Sequence, residues 1–379
     1  MKDILLEEYK KRFGKPQIYV KSPGRANIIG EHTDYNHGLV FPFAIEQRVG
    51  MYIGKNDLGK LRLIALDIGD EYIIDVANLS FATEGWTRYF INSLVALSYD
   101  QSTGIDVVFG GNLPQGGGVS SSSALTCGFL AGVNRLFEYN HSLDDLVNLA
   151  SQAENGIGLN GGIMDQTAIL KGEKGKALMI DFDDFSVKKY QVPSEGYMFY
   201  LFNSGQKHNL VDTEYNKRRA TCDAAVAQVA MRNSNVKTLR DMTLSDVSQY
   251  LTDERSRKRC THVIEENSRV IAASQLLESG NIDGLGELLL ASHYSLSNNY
   301  EVSTSEVDYL VNESQKIDNL LGSRIMGGGF GGCTINFVKG ELVDSDVEKL
   351  KIDYNSKTGL ELEIYEVKAS DGVLVERLQ

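Results

Sequence analysis

A chain of 379 residues, 42% hydrophobic and 23% charged, is long enough for two ordinary cores and has the make-up of a globular protein. Its 38 basic and 51 acidic residues leave a net charge of −13, which repels polyanions and argues against nucleic acid or an anionic membrane as a partner. No window reaches the roughly 18 apolar residues of a membrane span, and four scattered cysteines without a CxxC pair predict reduced thiols in a cytoplasmic protein, not a disulfide frame or a zinc ribbon.

The first sixteen residues carry three acids and predict an amphipathic helix, not a signal peptide. Strands follow at "IYVKSPG", "GLVFPFAI", "VGMYIGK", "LRLIALD" and "EYIIDV", separated by Gly, Asn or Asp. Between the first two lies "GRANIIGEHTDYNHG" (24–38), which packs two histidines, two acids and an arginine into a turn-rich stretch. His32 and His37, five apart, do not share a helix face and there is no HExxH, so a metal site is disfavoured. Glu31, His32 and Asp34 behind a glycine offer donors and acceptors at the short spacing that a polyhydroxylated ligand requires, though a solvated turn fits the stretch equally well. Trp86, the single tryptophan, reads as a core residue or as a face for stacking on a base.

The strand "IDVVFGGNLP" then runs into "QGGGVSSSS", and an apolar-periodic helix (122–138) begins among the serines. Glycines let main-chain N–H groups approach a ligand, Ser is a favoured N-cap, and a helix N-terminus attracts phosphate. A flexible connector would not run directly into a helix, and no GxxxxGK[ST] is present, so the stretch reads as a phosphate-binding loop unlike Walker A. A second helix (143–154) ends on Glu154, and Asp165 follows eleven residues later in the apolar setting "GIMDQTAIL". A carboxylate there needs a partner, for which Arg25 is the candidate; the pair would suit accepting a proton from a hydroxyl.

A strand at 176–182 and another segment at 197–205 flank the polar "DDFSVKKYQVPSEG", where a domain boundary is placed, giving domains 1–183 and 184–379. "NSGQKHNLVDTEYNKRR" groups Lys207, His208, Tyr215, Arg218 and Arg219 around a helix start with Asp212 or Thr213 as cap, the arginines reading equally as surface charge. A long helical region (213–298), a strand at 333–338, a helix near 343–355 and a strand at 362–368 complete the chain. "GGGFGG" (327–332) lacks the strand-before, helix-after setting of a dinucleotide fingerprint and reads as a tight turn laid against something bulky. Strands and helices without regular βαβ alternation predict an α+β class.

Taken together, "GRANIIGEHTDYNHG", "LPQGGGVSSSSAL" and "IMGGGFGGCTI" resemble the three motifs of the galactokinases, within the GHMP family of small-molecule kinases, and the resemblance covers nearly the whole chain. It implies a two-domain GHMP kinase fold, with an N-terminal lobe like ribosomal protein S5 domain 2, a C-terminal α/β sandwich-like lobe and the active site between them. It implies ATP and Mg2+ as cofactors, galactose and ATP as the small-molecule substrates, and a monomer without nucleic-acid or membrane partners. By the same resemblance Asp165 matches the catalytic base and Arg25 the residue that orients it. Glu31, His32, Asp34, Gly162 and Tyr215 match sugar-binding positions. Gly116, Gly117, Gly118, Val119, Ser120, Ser121, Ser122 and Ser123 match the ATP phosphate cradle, Ser122 and Glu154 the magnesium ligands, and Trp86 an adenine-stacking aromatic. The stretch from Glu154 to Asp165 is one residue shorter than in these relatives and has Gly161 in place of Cys. The competing expectations are a kinase for a related sugar (N-acetylgalactosamine, arabinose or a uronic acid) and a non-catalytic sensor of galactose and ATP.

Overall fold

The computed structural model describes residues 1–82, 84–99, 103–114, 116–156, 162–206 and 211–378, the side chains of 211–213 excepted. Helix α1 (Lys2–Phe13) leads into β1 (Ile18–Asn27), β2 (Leu39–Val40), β3 (Pro42–Asn56), β4 (Lys60–Ala65) and β5 (Asp70–Asp75). Then come α2 (Arg88–Ala96), β6 (Gly104–Gly111), α3 (Ser121–Phe137), α4 (Leu143–Asn155), α5 (Met164–Lys171), β7 (Lys176–Asp181) and β8 (Val187–Gln191). The remainder is β9 (Tyr197–Asn203), α6 (Val211–Ala230), α7 (Leu244–Tyr250), α8 (Glu254–Ser279), α9 (Gly284–Ser295), α10 (Ser305–Ser314), β10 (Leu320–Ile325), β11 (Cys333–Lys339), α11 (Asp344–Thr358), β12 (Glu363–Val367) and β13 (Leu374–Arg377). A π turn, Leu296–Tyr300, extends α9.

Six strands form one sheet in the order β13-β1-β3-β6-β4-β5, in which only the β4–β6 pair is parallel among the described residues. Alternation along its strands puts Val20, Met51, Ile53 and Val107 on one face, where they bury Phe90 of α2 and Phe129, Leu130 and Val133 of α3. Leu5 and Tyr9, one turn apart on α1, cover the other face against Tyr19, Tyr52 and Val108. A four-stranded antiparallel sheet, β10-β11-β9-β12, forms the second body. A central core joins the two: Ile28, Phe41 and Phe43 from the first part of the chain pack with Phe199, Leu201, Ile335 and Phe337 of the second sheet and with Val270, Leu285 and Leu289 of α8 and α9. Largely antiparallel sheets with segregated helices are the α+β class expected.

The differences from the sequence reading are local. "GLVFPFAI" and "VGMYIGK" form the single strand β3, whose middle (Glu46–Arg48) emerges to solvent. Pro23 pairs with Arg48 but Arg25 with Ala44, so the ladder is irregular at that point and a break was read where there is a bulge. The boundary placed at 183/184 falls in the turn of the β7–β8 hairpin, and β13 returns to pair with β1 in the N-terminal sheet (Ile18 with Arg377). The four cysteines are buried and free. Among the described residues no helix is long and apolar enough to cross a membrane.

Candidate active site

The segment between β6 and α3 closes on itself through positive φ at Gly116 (+65°), Gly118 (+65°) and Ser120 (+58°). The first main-chain bond of α3 runs from the Ala124 N–H to the Ser120 carbonyl, so the N–H groups of Ser121, Ser122 and Ser123 precede the ladder, as an anion cradle requires. One expectation is corrected here. Ser120 is the N-cap residue, but in the left-handed region its side chain makes no cap bond; its hydroxyl instead donates to Asp165 Oδ2.

Arg25 and Asp165 meet as expected. Arg25 Nε lies 2.8 Å from Asp165 Oδ1 and Nη2 lies 3.2 Å from Oδ2, with Arg25 only 4% exposed. The third guanidinium nitrogen donates to the Gly118 carbonyl, and the Arg25 N–H donates to Val119 O at 3.1 Å. Gly24 makes this approach feasible: a Cβ there would stand 2.9 Å from Val119 O and 2.6 Å from Leu113 Cδ2. Asp165 itself sits in the first turn of α5, the end of a helix that favours an anion. The second glycine motif lies against the phosphate loop, since a Cβ on Gly327 would come within 3.2 Å of Gly118 O.

Across from this pair stand the residues of the 24–38 stretch. His32 adopts φ +63°, a sparsely populated conformation for a non-glycine residue, of the kind that clusters at ligand sites. Its Nδ1 bonds the Tyr35 hydroxyl at 2.8 Å while Nε2 is buried without a partner in the cleft wall. Burial holds the ring's pKa well below the ordinary histidine value, so it is neutral. Asp34 accepts from the Gly162 N–H at 3.1 Å, and a Cβ on Gly162 would fall 2.2 Å from that same oxygen, which is why this position is bare. Burial, and then the charge of Asp165, raise the Asp34 pKa to about 7. Tyr215, from α6, packs its ring 5.6 Å from that of His32.

Glu31 is held by residues that the sequence reading did not single out. Arg324 of β10, fully buried, donates to Glu31 Oε1 at 3.0 Å and to the Ile28 carbonyl at 2.8 Å; the Gly327 N–H donates to the same Oε1 at 2.9 Å. Glu266 of α8 accepts from the N–H groups of Gly30 (2.9 Å) and Glu31 (3.3 Å), and His262 bonds the Glu31 carbonyl at 3.1 Å. Burial works to raise the Glu266 pKa, but its cationic neighbours, Arg269 foremost and Arg324, bring it down to about 2. The signals for these residues were faint: an arginine inside the strand-like "LLGSRIM", which demands a partner once buried, and a His/Glu pair at i and i+4 that shares a helix face.

Glu154, at the end of α4, is 8% exposed and takes Ser123 Oγ (3.1 Å) and Gln166 Nε2 (2.9 Å) on Oε2, while Oε1 is buried and unpartnered. Burial, and then Asp165, push its pKa to about 8. Ser123, not Ser122, makes the direct bond to it; both residues line the cleft. Trp86 lies outside the lining, packed 5.4 Å from the Phe109 ring, with its indole N–H donating to Asp70 at 2.8 Å. Arg218 is no surface charge: it is buried, donates to the Tyr300 carbonyl at 2.9 Å and stacks on Phe330 of the glycine motif. Lys207, His208 and Gly161 lie outside the described residues.

Arg25, Asp165, Glu31, His32, Asp34 and Tyr215 thus line one cleft of about 180 Å³, together with Ser122, Ser123 and Glu154. That is below the roughly 300–1,000 Å³ of pockets for drug-sized ligands and suits a small polar molecule abutting a phosphate. A carboxylate locked by an arginine, beside a main-chain cradle and facing hydroxyl-matching groups, can take a proton from an alcohol as it attacks phosphorus.

Comparison with known proteins shows the family of the chain. The family model for the galactokinase galactose-binding signature matches residues 7–55, that for the GHMP kinases N terminal domain residues 88–173, and that for the GHMP kinases C terminal domain residues 273–356. The chain is 35% identical to the galactokinase of Clostridium beijerinckii over 98% of both chains, and 34% identical to that of Bacillus subtilis over 93% of this chain and 92% of the relative. Its structure matches that of the Lactococcus lactis galactokinase complexed with galactose with a TM-score of 0.92 at 31% identity, covering 98% of this chain and 99% of that one. The Methanococcus jannaschii mevalonate kinase, at 16% identity and a TM-score of 0.67 over 95% of this chain and all of that one, shares the fold.

Proposed function

The chain belongs to the galactokinases of the GHMP kinase family, and from that footing we propose that its cleft transfers the γ-phosphoryl group of ATP to the anomeric C1 hydroxyl of galactose, giving galactose 1-phosphate and ADP. The observation that carries this reading is the Arg25–Asp165 pair, bonded at 2.8 Å, with the same arginine tied to the phosphate loop and the hydroxyl-matching wall of Glu31, His32 and Asp34 opposite. Phosphoryl transfer asks mainly for alignment and charge stabilisation. Asp165 accepts the C1 hydroxyl proton as the oxygen bonds phosphorus and the bond to the ADP oxygen breaks. Arg25 fixes the carboxylate and offsets charge on the transferring group, and the N–H groups of Ser121–Ser123 hold phosphate oxygens. Glu31, His32 and Asp34, with Gly162 and Tyr215, match the sugar hydroxyls; the partnerless His32 Nε2 awaits one of them.

Glu154 and the serine hydroxyls beside it fit a divalent cation accompanying the nucleotide. A buried carboxylate whose Oε1 lacks any donor, at the rim of an anion cradle, gains its missing partner from a cation. Glu154 and Ser122 would hold Mg2+, which when bound supplies charge neutralisation for the β- and γ-phosphates. With buried reduced thiols and a strongly acidic balance, the enzyme acts as a cytoplasmic monomer on free sugar and nucleotide.

The test is to incubate the protein with Mg-ATP and individual sugars, measure ADP release and locate the phosphate by NMR. Galactose is expected to be preferred and phosphorylated at C1; preference for an N-acetylated or acidic sugar would overturn the assignment. In the same assay Asp165→Asn should retain sugar and ATP binding but lose about 10²–10⁴-fold in kcat. Near-normal turnover in that variant would remove Asp165 from the base role.

A further inference from the structure

We propose that Ser120 is a positioning residue for Asp165: its hydroxyl, not the phosphate cradle, is the reason a serine stands at that point of the loop. The proposal rests on the reading of Asp165 as the base. Among the described residues of the loop, three positions have positive φ; two are Gly116 and Gly118, and the third is Ser120 at φ +58°, ψ +48°. Glycine populates that region at no steric cost, whereas any residue with a Cβ is disfavoured there. A serine at a helix start would ordinarily be explained by capping, but this one makes no cap bond. What the left-handed turn achieves is to swing the Oγ away from α3 and onto Asp165 Oδ2.

The consequence for the carboxylate is geometric. Arg25 alone meets both oxygens of Asp165 from one side, at 2.8 and 3.2 Å. A carboxylate so held can still slide and twist within the fork, because the charge attraction varies slowly with position. A hydroxyl donor from a second direction, anchored in a loop that itself receives Arg25 through the Gly118 and Val119 carbonyls, fixes the carboxylate plane. The lone pair left over then points at one place in the cleft, where the sugar hydroxyl must arrive. The loop that cradles phosphate and the group that takes the proton are thereby set in register by one side chain. Phosphate oxygens need only the N–H groups that open α3, and these do not depend on the Ser120 hydroxyl.

Three variants test this: Ser120→Gly, Ser120→Thr and, as a reference, Asp165→Asn. Each is compared with the parent for kcat, for KM of sugar and of ATP, and for the thermal midpoint. Ser120→Gly relieves the backbone and should melt at or above the parent temperature. Its kcat is expected to fall roughly 10–100-fold, the scale of a misplaced catalytic group, with both KM values within about threefold of the parent. Ser120→Thr keeps the hydroxyl but places a β-branched residue at positive φ, so it should melt lower than Ser120→Gly and yet turn over faster. This inversion between the two orders is the signature sought. Activity that simply follows stability across the variants overturns the proposal, and so does a raised KM for ATP with kcat unchanged, which would make the hydroxyl a phosphate ligand. Loss of turnover in Asp165→Asn alongside full turnover in Ser120→Gly overturns the proposal and leaves the base assignment standing. Turnover retained in Asp165→Asn overturns the base assignment and the proposal built on it.

Discussion

At Asp34 the cleft sets two demands against each other: the carboxylate must face a sugar, and it must sit beside Asp165 away from bulk water. Its pKa accordingly rises from 3.8 to about 7, burial being the larger cause and Asp165 the next. The sign follows from linkage. Between about pH 4 and pH 7 the folded protein holds a proton that the unfolded chain has released, so this residue's contribution to stability falls as pH rises through that window. Asp34→Asn removes the effect with little change of shape. Relative to the parent, the ligand-free variant should gain roughly 1–2 kcal/mol between pH 5 and pH 7.5, a figure reduced because the cleft wall is partly wet. Urea unfolding at the two pH values checks this; a difference independent of pH would mean that Asp34 is ionised throughout. At this scale the site was only half legible. Arg25 and Asp165 could be paired because an acid in an apolar setting needs a cation and one lay in a turn-rich motif. Arg324, Glu266 and His262 escaped because their importance lies in what they touch some 230 to 300 positions away, as the Arg324–Glu31 contact shows.

Helix α3 carries the N–H groups of the cradle and must be seated accurately on the sheet. Two glycines one turn apart let it lie against β1 and β3: a Cβ on Gly128 would stand 2.6 Å from that of Ser22 in β1, and one on Gly132 would come 2.7 Å from Ile53 Cδ1 in β3. The Ser22 hydroxyl also donates to the Ala124 carbonyl at 2.6 Å, pinning the helix's first turns. Glycine inside a helix costs up to about 1 kcal/mol relative to alanine, so close packing is what holds it there. Gly128→Val should destabilise the protein by about 1–3 kcal/mol through overpacking and raise KM for ATP more than KM for galactose, because the cradle end of the helix is displaced. Unchanged stability, or a change confined to galactose, would contradict this seating. Helices α3 and α4, with apolar residues at helical spacing, and strands bounded by turn residues, such as β1 and β4, could be read from the sequence. The elements missed were α2, α5, α10, β8, β10 and β13, and several of them hide their signal. Helix α5 has eight residues, too few to establish a period, and β8 ("VKKYQ") is half-exposed and polar within a stretch that looked like a linker. Strand β13 ("LVER") buries no residue fully and is defined only by its partner β1.

In the whole molecule the two lobes are more interlocked than a pair of domains on a hinge. Arg324, His262 and Glu266, all from the C-terminal half, grip main-chain groups of residues 28–31 in the N-terminal half, and one core runs through both. The protein should therefore unfold in a single calorimetric transition. Galactose at about 100 times its Kd should shift that whole transition by the equivalent of about 2.7 kcal/mol. Two resolved transitions, only one of them moved by the sugar, would show that the lobes are energetically separate. The returning strand β13 carries a further consequence for how the protein is made. Its partner β1 leaves the ribosome long before it, with Ile18 awaiting Arg377. Until residues 374–377 have emerged, the flank of β1 stays open as a template for unwanted pairing. Nascent chains stalled before codon 374 should accordingly be more prone to aggregation and more dependent on chaperones than chains that include β13.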